Sequence, residues 1–223
     1  MKQYRIGIDV GATNIKIGLF DEEMDLKDYA QALTDQQASL EEIIDLMVAL
    51  TRRLLSANGV TLGELEGMGA VFPSYIDYRK GIVLETSYIM ALSNAPVRDL
   101  LEARLGVRVV LDNDANAAAL AEHRLGAGVG CSDMIYVALA TGIGGGLILN
   151  GKLYRGMHGM AGEIGHMFVS DSTGYPCSCG VTGCVQSISS GAQMAKYVTD
   201  RIKEGEDSSI LNYAGTLSNI DME

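Results

Sequence analysis

The chain has 223 residues, 48% of them hydrophobic and 20% charged, with 28 acidic against 17 basic side chains and a net charge of −11. That is enough apolar material for one large domain or two small ones, and the acidity, without a Lys/Arg cluster, argues against nucleic acid as the main partner, since phosphate backbones need a basic face. No window approaches membrane-spanning length, and Met1 leads into a strand-like run, not a basic stretch and a long apolar segment, so a cytoplasmic protein without signal peptide or membrane partner is expected.

In chain order, Tyr4 to Asp9 reads as a short strand that ends at Gly11-Ala-Thr13-Asn14, and Ile15 to Phe20 as its hairpin partner. Residues 39 to 57 carry apolar side chains at helical spacing (Leu40, Ile43, Ile44, Met47, Leu50, Leu54), with Gly59 just beyond. A strand follows at about Gly67 to Phe72, then a turn and strand over Asp77 to Glu85, a helix over Val97 to Leu105 and a buried strand over Val107 to Leu111. Asp112-Asn113-Asp114-Ala-Asn116 opens an alanine-rich helix to about Leu125, its carboxylates placed as N-terminal caps. Met134 to Leu139 is another strand, Gly142 to Gly146 a turn into Leu147-Ile-Leu149, and Gly191 the start of a helix whose continuation becomes polar. Strand, glycine turn, strand thus occurs twice, as expected of two similar lobes, here divided at 1–115 and 116–223.

The most specific feature lies between Glu163 and Cys184. His166, Cys177, Cys179 and Cys184 gather three of the four cysteines and an imidazole in a glycine-rich stretch, the composition of a tetrahedral zinc site. Unrelated loop thiols are the plain alternative. A closed set of four ligands leaves no place for water, so such a metal would be structural. Cys131 is expected as a small buried or half-buried side chain, and disulfides are not expected.

Each glycine turn also suggests chemistry. Asp9-x-Gly11-x-Thr13 sets a carboxylate, a residue without side chain and a hydroxyl in a turn whose amides can point outward, an arrangement that can hold phosphate or a Mg²⁺-bound phosphate. Gly and Asp are also common in hairpins for conformational reasons. Thr141-Gly142-Ile-Gly144-Gly145-Gly146 permits close backbone approach to a ligand, with a tight β-bulge as the bland alternative. Neither matches a dinucleotide fingerprint or a P-loop. Asp114, a helix cap or a general base, follows Asn113, whose amide can both donate and accept. Two phosphate-type turns, a strand-end Asp and the Glu163/His166 pair together suit phosphoryl transfer to a polyol.

Asp9-Val-Gly11-Ala-Thr13-Asn14, Leu111-Asp-Asn113-Asp114-Ala-Asn116, Ala140-Thr141-Gly-Ile-Gly-Gly-Gly146, Gly162-Glu163-Ile-Gly-His166 and Cys177-x-Cys179-Gly-x-x-Gly-Cys184 together resemble the ROK family of bacterial sugar kinases and repressors. The resemblance implies an α/β, actin/hexokinase-like (ribonuclease H-like) fold of two lobes, with mixed sheets flanked by helices and the second lobe incomplete. It implies ATP and Mg²⁺ held by Asp9, Gly11, Thr13, Asn14, Thr141, Gly142 and Gly144, and a structural Zn²⁺ on His166, Cys177, Cys179 and Cys184. Asp114 would take the proton from the C6 hydroxyl of a hexose, glucose first among the candidates, while Asn113, Glu163 and His166 bind sugar hydroxyls. Full-length members of the family are expected as homodimers or tetramers.

Departures from the family pattern fall at the sugar. Where the family has a Glu that contacts the sugar near its anomeric end, this chain has Gln186, which loses the charge but gains donors. The usual Pro-Gly reads Pro73-Ser74, and Thr86 is a further candidate pocket residue. Family members also extend beyond Glu223, so a fragment is expected. A sugar-binding regulator or a non-catalytic remnant are the alternative functions, the regulator disfavoured because a DNA-binding domain has no room in the eight residues before Asp9.

Overall fold

The computed structural model describes residues 3–86, 88–171 and 174–220, so the outermost ends of the two expected lobes lie outside it. β1 (Tyr4–Val10) and β2 (Asn14–Phe20) form the expected antiparallel hairpin. Their buried residues alternate with period two, and the register sets Ile6 beside Leu19, Ile8 beside Ile17 and Val10 beside Ile15 on one apolar face. β3 (Leu26–Leu33) extends the hairpin, a strand that residue pattern does not reveal. As an edge strand it buries little more than Ala30, so it lacks the apolar alternation by which strands are read.

α1 (Leu40–Ala57) covers β2 and β3. Ser39 and Glu42 close its first turn as a capping box, and Ile43, Ile44, Met47, Leu50, Leu54 and Leu55 turn one stripe into the core. β4 (Leu65–Phe72) then runs parallel to β1. β5 (Tyr75–Asp77) and β6 (Ile82–Glu85) make a separate small hairpin, and α2 (Val97–Leu105) buries Val97, Leu101 and Leu105 one helical turn apart. β7 (Val109–Asn113) is parallel to β4, completing a five-stranded sheet in the order β3-β2-β1-β4-β7. This strand lies two residues later than the apolar run suggested, because its ladder continues through Asp112 and Asn113 opposite Val71 and Phe72.

α3 (Asp114–Leu125) follows without a loop. β8 (Met134–Leu139), β9 (Ile143–Leu149) and β10 (Lys152–Tyr154) form an antiparallel sheet in the order β10-β9-β8, the same antiparallel half that opens the first sheet. Beyond it lie the cysteine-bearing loops, α4 (Val185–Ser189), α5 (Gly191–Lys203) and the single turn α6 (Leu211–Ala214). Contacts group residues up to Ala117 with Gly156–Met160 as one unit, and Ala118–Arg155 with the residues from Ala161 onward as another.

Two expectations are corrected. The glycines Gly144, Gly145 and Gly146 do not make a turn; they are strand residues of β9, and the turn is confined to Ala140–Gly142. At Gly145 the lack of a side chain serves packing: a β-carbon there would stand 2.9 Å from the carbonyl oxygen of Gly162 and 3.0 Å from that of Tyr136. Cys131, expected to be withdrawn from water, is exposed in the turns before β8, where its carbonyl meets the His123 imidazole at 2.9 Å.

Candidate functional site

Because β1, β4 and β7 run parallel, their C-terminal ends share one edge of the first sheet. The register aligns Asp9 with Val71 and Val71 with Asp112, so Asp9 and the Asn113-Asp114 step flank the end of β4 at roughly 5 Å per strand spacing. Ligands of open α/β sheets gather at this kind of edge, where strand ends release side chains and amides from the ladder.

The turn after β1 is tied down from its carbonyl side. Thr34 donates its hydroxyl to the Gly11 carbonyl at 2.8 Å and its amide to that of Thr13 at 2.9 Å, and Gln36 donates Nε2 to that of Ala12 at 2.9 Å. The amides of Ala12 and Thr13 and the Thr13 hydroxyl have no partner among the described residues. A turn so anchored presents donors outward, as an anion requires. Asn14, already in β2, contributes its carbonyl to the Gly11 amide at 2.9 Å.

At the other end of the edge, Asn113 caps α3: its Oδ1 accepts the Asn116 amide at 3.1 Å, and its Nδ2 reaches the Ser74 carbonyl at 3.4 Å. Asp112 Oδ1 accepts from the Asn113 amide and from Asn116 Nδ2. The cap is therefore the amide side chain rather than a carboxylate, while Asp114 Oδ1 accepts the next amide, that of Ala115, at 2.8 Å. Burial pushes the Asp114 carboxyl above its ordinary 3.8 and the charge of Asp9 adds to this, against the lowering pull of the Ala115 amide. Asp9 is raised as well, loss of water at the strand end outweighing the attraction of Lys16. Carboxyls held high at a strand edge are what proton transfer or cation binding uses. Ser74 and Thr86 are buried, and Thr86 Oγ1 accepts the Tyr88 amide at 3.4 Å. A cavity of about 510 Å³ in the same unit, between the Asp77–Lys80 turn and Met157–Met160, is lined by none of the residues singled out in the sequence.

The second unit repeats the carbonyl anchoring. Ala140 and Thr141 give their carbonyls to the first amides of α5, those of Gly191 at 2.9 Å and Ala192 at 3.3 Å, and Gly142 gives its own to Ala140 at 3.0 Å. Gly144 follows in β9. Next to that strand, Gly162 and Gly165 approach so closely that a β-carbon on either would collide with the Gly145 or Ile143 carbonyl. This contact brings the short 3-10 turn Ile164–His166 onto β9.

Glu163 and His166 stand on that turn. One imidazole nitrogen, Nδ1, lies 3.6 Å from Cys177 Sγ, and the other, Nε2, lies 4.0 Å from Glu163 Oε2. One ligand atom from each of His166, Cys177, Cys179 and Cys184 lies within 4.8 Å of all the others. Around a zinc ion with Zn–S near 2.3 Å the ligand atoms of a tetrahedron would stand roughly 3.5–4 Å apart, so the four side chains fit that ion with a small contraction. Cys184 is buried, and Ser187 fixes its loop by donating Oγ to the Cys184 carbonyl at 2.8 Å while accepting the Gly183 amide at 3.0 Å. Gln186, on the same helix, faces Ile143 and Cys177, a placement its sequence position did not reveal.

A sheet of order β3-β2-β1-β4-β7 with two antiparallel and two parallel pairings, followed by the same antiparallel half, defines an actin/hexokinase-like, ribonuclease H-like α/β protein. More narrowly, the chain belongs to the ROK family, whose pattern it matches over residues 5–220. It is 34% identical over 208 residues to a glucokinase of Halalkalibacterium halodurans, covering 93% of this chain and 63% of the relative. A xylose repressor of Caldicellulosiruptor bescii is 30% identical over 93% of this chain and 52% of its own length. The crystal structure of a ROK family glucokinase from Streptomyces griseus in complex with glucose and AMPPNP superposes with a TM-score of 0.80 at 34% identity, over 97% of this chain and 68% of that one. The chain thus spans about six-tenths of the glucokinase sequence and half of the repressor's. No helix among the described residues is long and apolar enough to cross a membrane.

Proposed function

We propose that the chain carries the machinery of an ATP-dependent sugar kinase that phosphorylates a hexose, glucose first among them, at the C6 hydroxyl. The observation that carries this reading is the first-sheet edge: a donor-presenting turn at Gly11–Asn14 and a high-pKa carboxyl, Asp114, at the ends of neighbouring parallel strands. The glucokinase likeness supports the same class.

Phosphoryl transfer depends mainly on positioning and on neutralising charge. Asp9, Gly11, Thr13 and Asn14 are proposed as nucleotide-phosphate contacts, and so, by the family likeness, are Thr141, Gly142 and Gly144. Mg²⁺ bound with the nucleotide would neutralise β- and γ-phosphate charge, with Asp9 the carboxylate suited to hold it. Asp114 would accept the proton of the sugar hydroxyl at Oδ2, since Oδ1 is engaged by Ala115. Asn113, Glu163, His166, Gln186 and Thr86 are the proposed sugar contacts. Zinc on His166 Nδ1 and the three thiolates would be structural, leaving Nε2 for a single defined hydrogen bond.

The test is ADP release from MgATP by the zinc-loaded chain across a panel of hexoses and N-acetylhexosamines, against a blank without sugar. Sugar-dependent turnover is expected, and Asp114→Asn is expected to lose about 10²–10⁴-fold in turnover while retaining sugar binding. Unchanged turnover in that variant would refute Asp114 as the base. The likeness to a xylose repressor supports a second reading, a sugar-binding regulator; saturable sugar binding with no turnover under any sugar is its signature.

A further inference from the structure

Gln186 joins two parts of the second unit. Its Oε1 accepts the amide of Ile143, the first residue of β9, at 2.9 Å, and its Nε2 points at Cys177 Sγ from 3.8 Å. The orientation of the side-chain amide follows from its partners, because a backbone N–H can only donate and a thiolate only accept. Gly142 makes room for the contact, since a β-carbon there would lie 3.1 Å from Oε1. A glutamate could accept from Ile143 equally well, but its second oxygen would then face a sulfur that is anionic whenever it holds a metal. Glutamine alone of the two satisfies both ends.

We infer that Gln186 is a positioning residue that couples the metal-ligating set, through the Ile143 amide, to the Ala140–Gly142 turn. Ligation fixes the Cys177 sulfur, the sulfur holds Nε2, and Oε1 holds the Ile143 amide and with it the glycine turn between β8 and β9. The coupling rests on the reading of His166, Cys177, Cys179 and Cys184 as a zinc site. Linkage makes it reciprocal: whatever orders the turn tightens the metal. It also gives the departure at this position a use unrelated to the sugar, one that a carboxylate could not serve.

The experiment is single-residue amide hydrogen exchange by NMR at Ile143, with Ile148 further along β9 as internal reference, on zinc-loaded and chelator-stripped protein, together with zinc release to a chromogenic chelator. In the wild-type chain, stripping zinc is expected to speed Ile143 exchange about tenfold relative to Ile148. In Gln186→Leu, exchange at Ile143 is expected to be fast with or without zinc, and zinc release several-fold faster. Gln186→Glu keeps the acceptor and loses the donor, so Ile143 should stay protected but indifferent to zinc. This second variant serves if Gln186→Leu exposes Ile148 too and so has lost the strand. Ile143 protection that responds to zinc equally in the wild type and in Gln186→Glu would overturn the coupling while leaving the metal site standing. A wild-type chain that binds no zinc would overturn the metal reading and the coupling together.

Discussion

From Ile6 to Leu111 the buried side chains form one contiguous apolar cluster, with Ile17, Ile44, Met47, Leu101 and Phe72 almost wholly out of water. From Met134 to Gly191 the buried positions among the described residues are of another kind: Ile143 and Ile148, then Gly145, Gly146, Gly162, Gly165, Gly183, Cys184, Ser187, Ser190 and Gly191. On β8 every second residue is turned outward, leaving Ile135, Val137 and Leu139 at 66%, 55% and 56% exposure. The first unit is thus ordered by removing hydrocarbon from water, which is non-directional and tolerates substitution of similar volume. The second relies on backbone lying against backbone, on hydroxyl and amide bonds, and on four ligand atoms converging on one point. Such order is directional and fails when one member is lost.

The largest expected effect follows from that difference. Stripping zinc removes a contribution that in small metal-ordered folds is on the order of 10 kcal/mol. Amide exchange is expected to rise at Ile143 and across 162–190 while Ile148 and 6–111 stay protected; exposure of all of these together would break the contrast, and no exposure would show the cysteines to be incidental. Next comes the core of the first unit: Leu101→Ala, at a fully buried site in α2, should cost about 2–5 kcal/mol by chemical denaturation and leave zinc content unchanged. Gly165→Ala is the counterpart in the second unit, where the new methyl group meets the Ile143 carbonyl. A cost of about 1–3 kcal/mol is expected, with weakened zinc retention, although the substitution adds only one carbon.

The smallest effect concerns Asp114. Its folded pKa is raised, so the folded state binds more protons than the unfolded chain at pH values between 3.8 and the raised value, and this residue's contribution to stability improves as pH falls through that window. Above the window the buried charge is a standing cost. Asp114→Asn is therefore expected to raise the thermal midpoint slightly at neutral pH, and to flatten the acid side of the stability profile, even as it abolishes the proposed chemistry. A lower midpoint would mean that the charge is compensated.

Much of this was legible in the linear order of residues because the signals were local. α1 and α2 follow from apolar spacing, the β1–β2 hairpin from a glycine turn between apolar runs, and the convergence of His166, Cys177, Cys179 and Cys184 from thiols crowded into a few positions. β3 was not legible: an edge strand that buries chiefly Ala30 carries no pattern to read. The glycines of β9 misled because a glycine run has the same composition whether it turns the chain or admits another backbone, and only the arrival of Gly162 and Gly165 distinguishes the two. The capping of α3 misled similarly, since Asp112, Asn113 and Asp114 are all competent caps and the ladder to β4 decides which of them reaches the Asn116 amide.

By itself, then, the sequence determined the family, the β1–β2 hairpin and the helices α1 and α2, because each of these is written in neighbouring residue types. Tertiary structure alone decided that Asp9 and Asp114 share an edge, since this needs three parallel strands in register, and that burial, with the Asp9 charge adding to it, raises the Asp114 carboxyl. It also decided that Gln186 faces Ile143 and Cys177, 43 and 9 residues away along the chain, because a side-chain amide chooses partners by distance and direction in space, and neither is encoded by residue type.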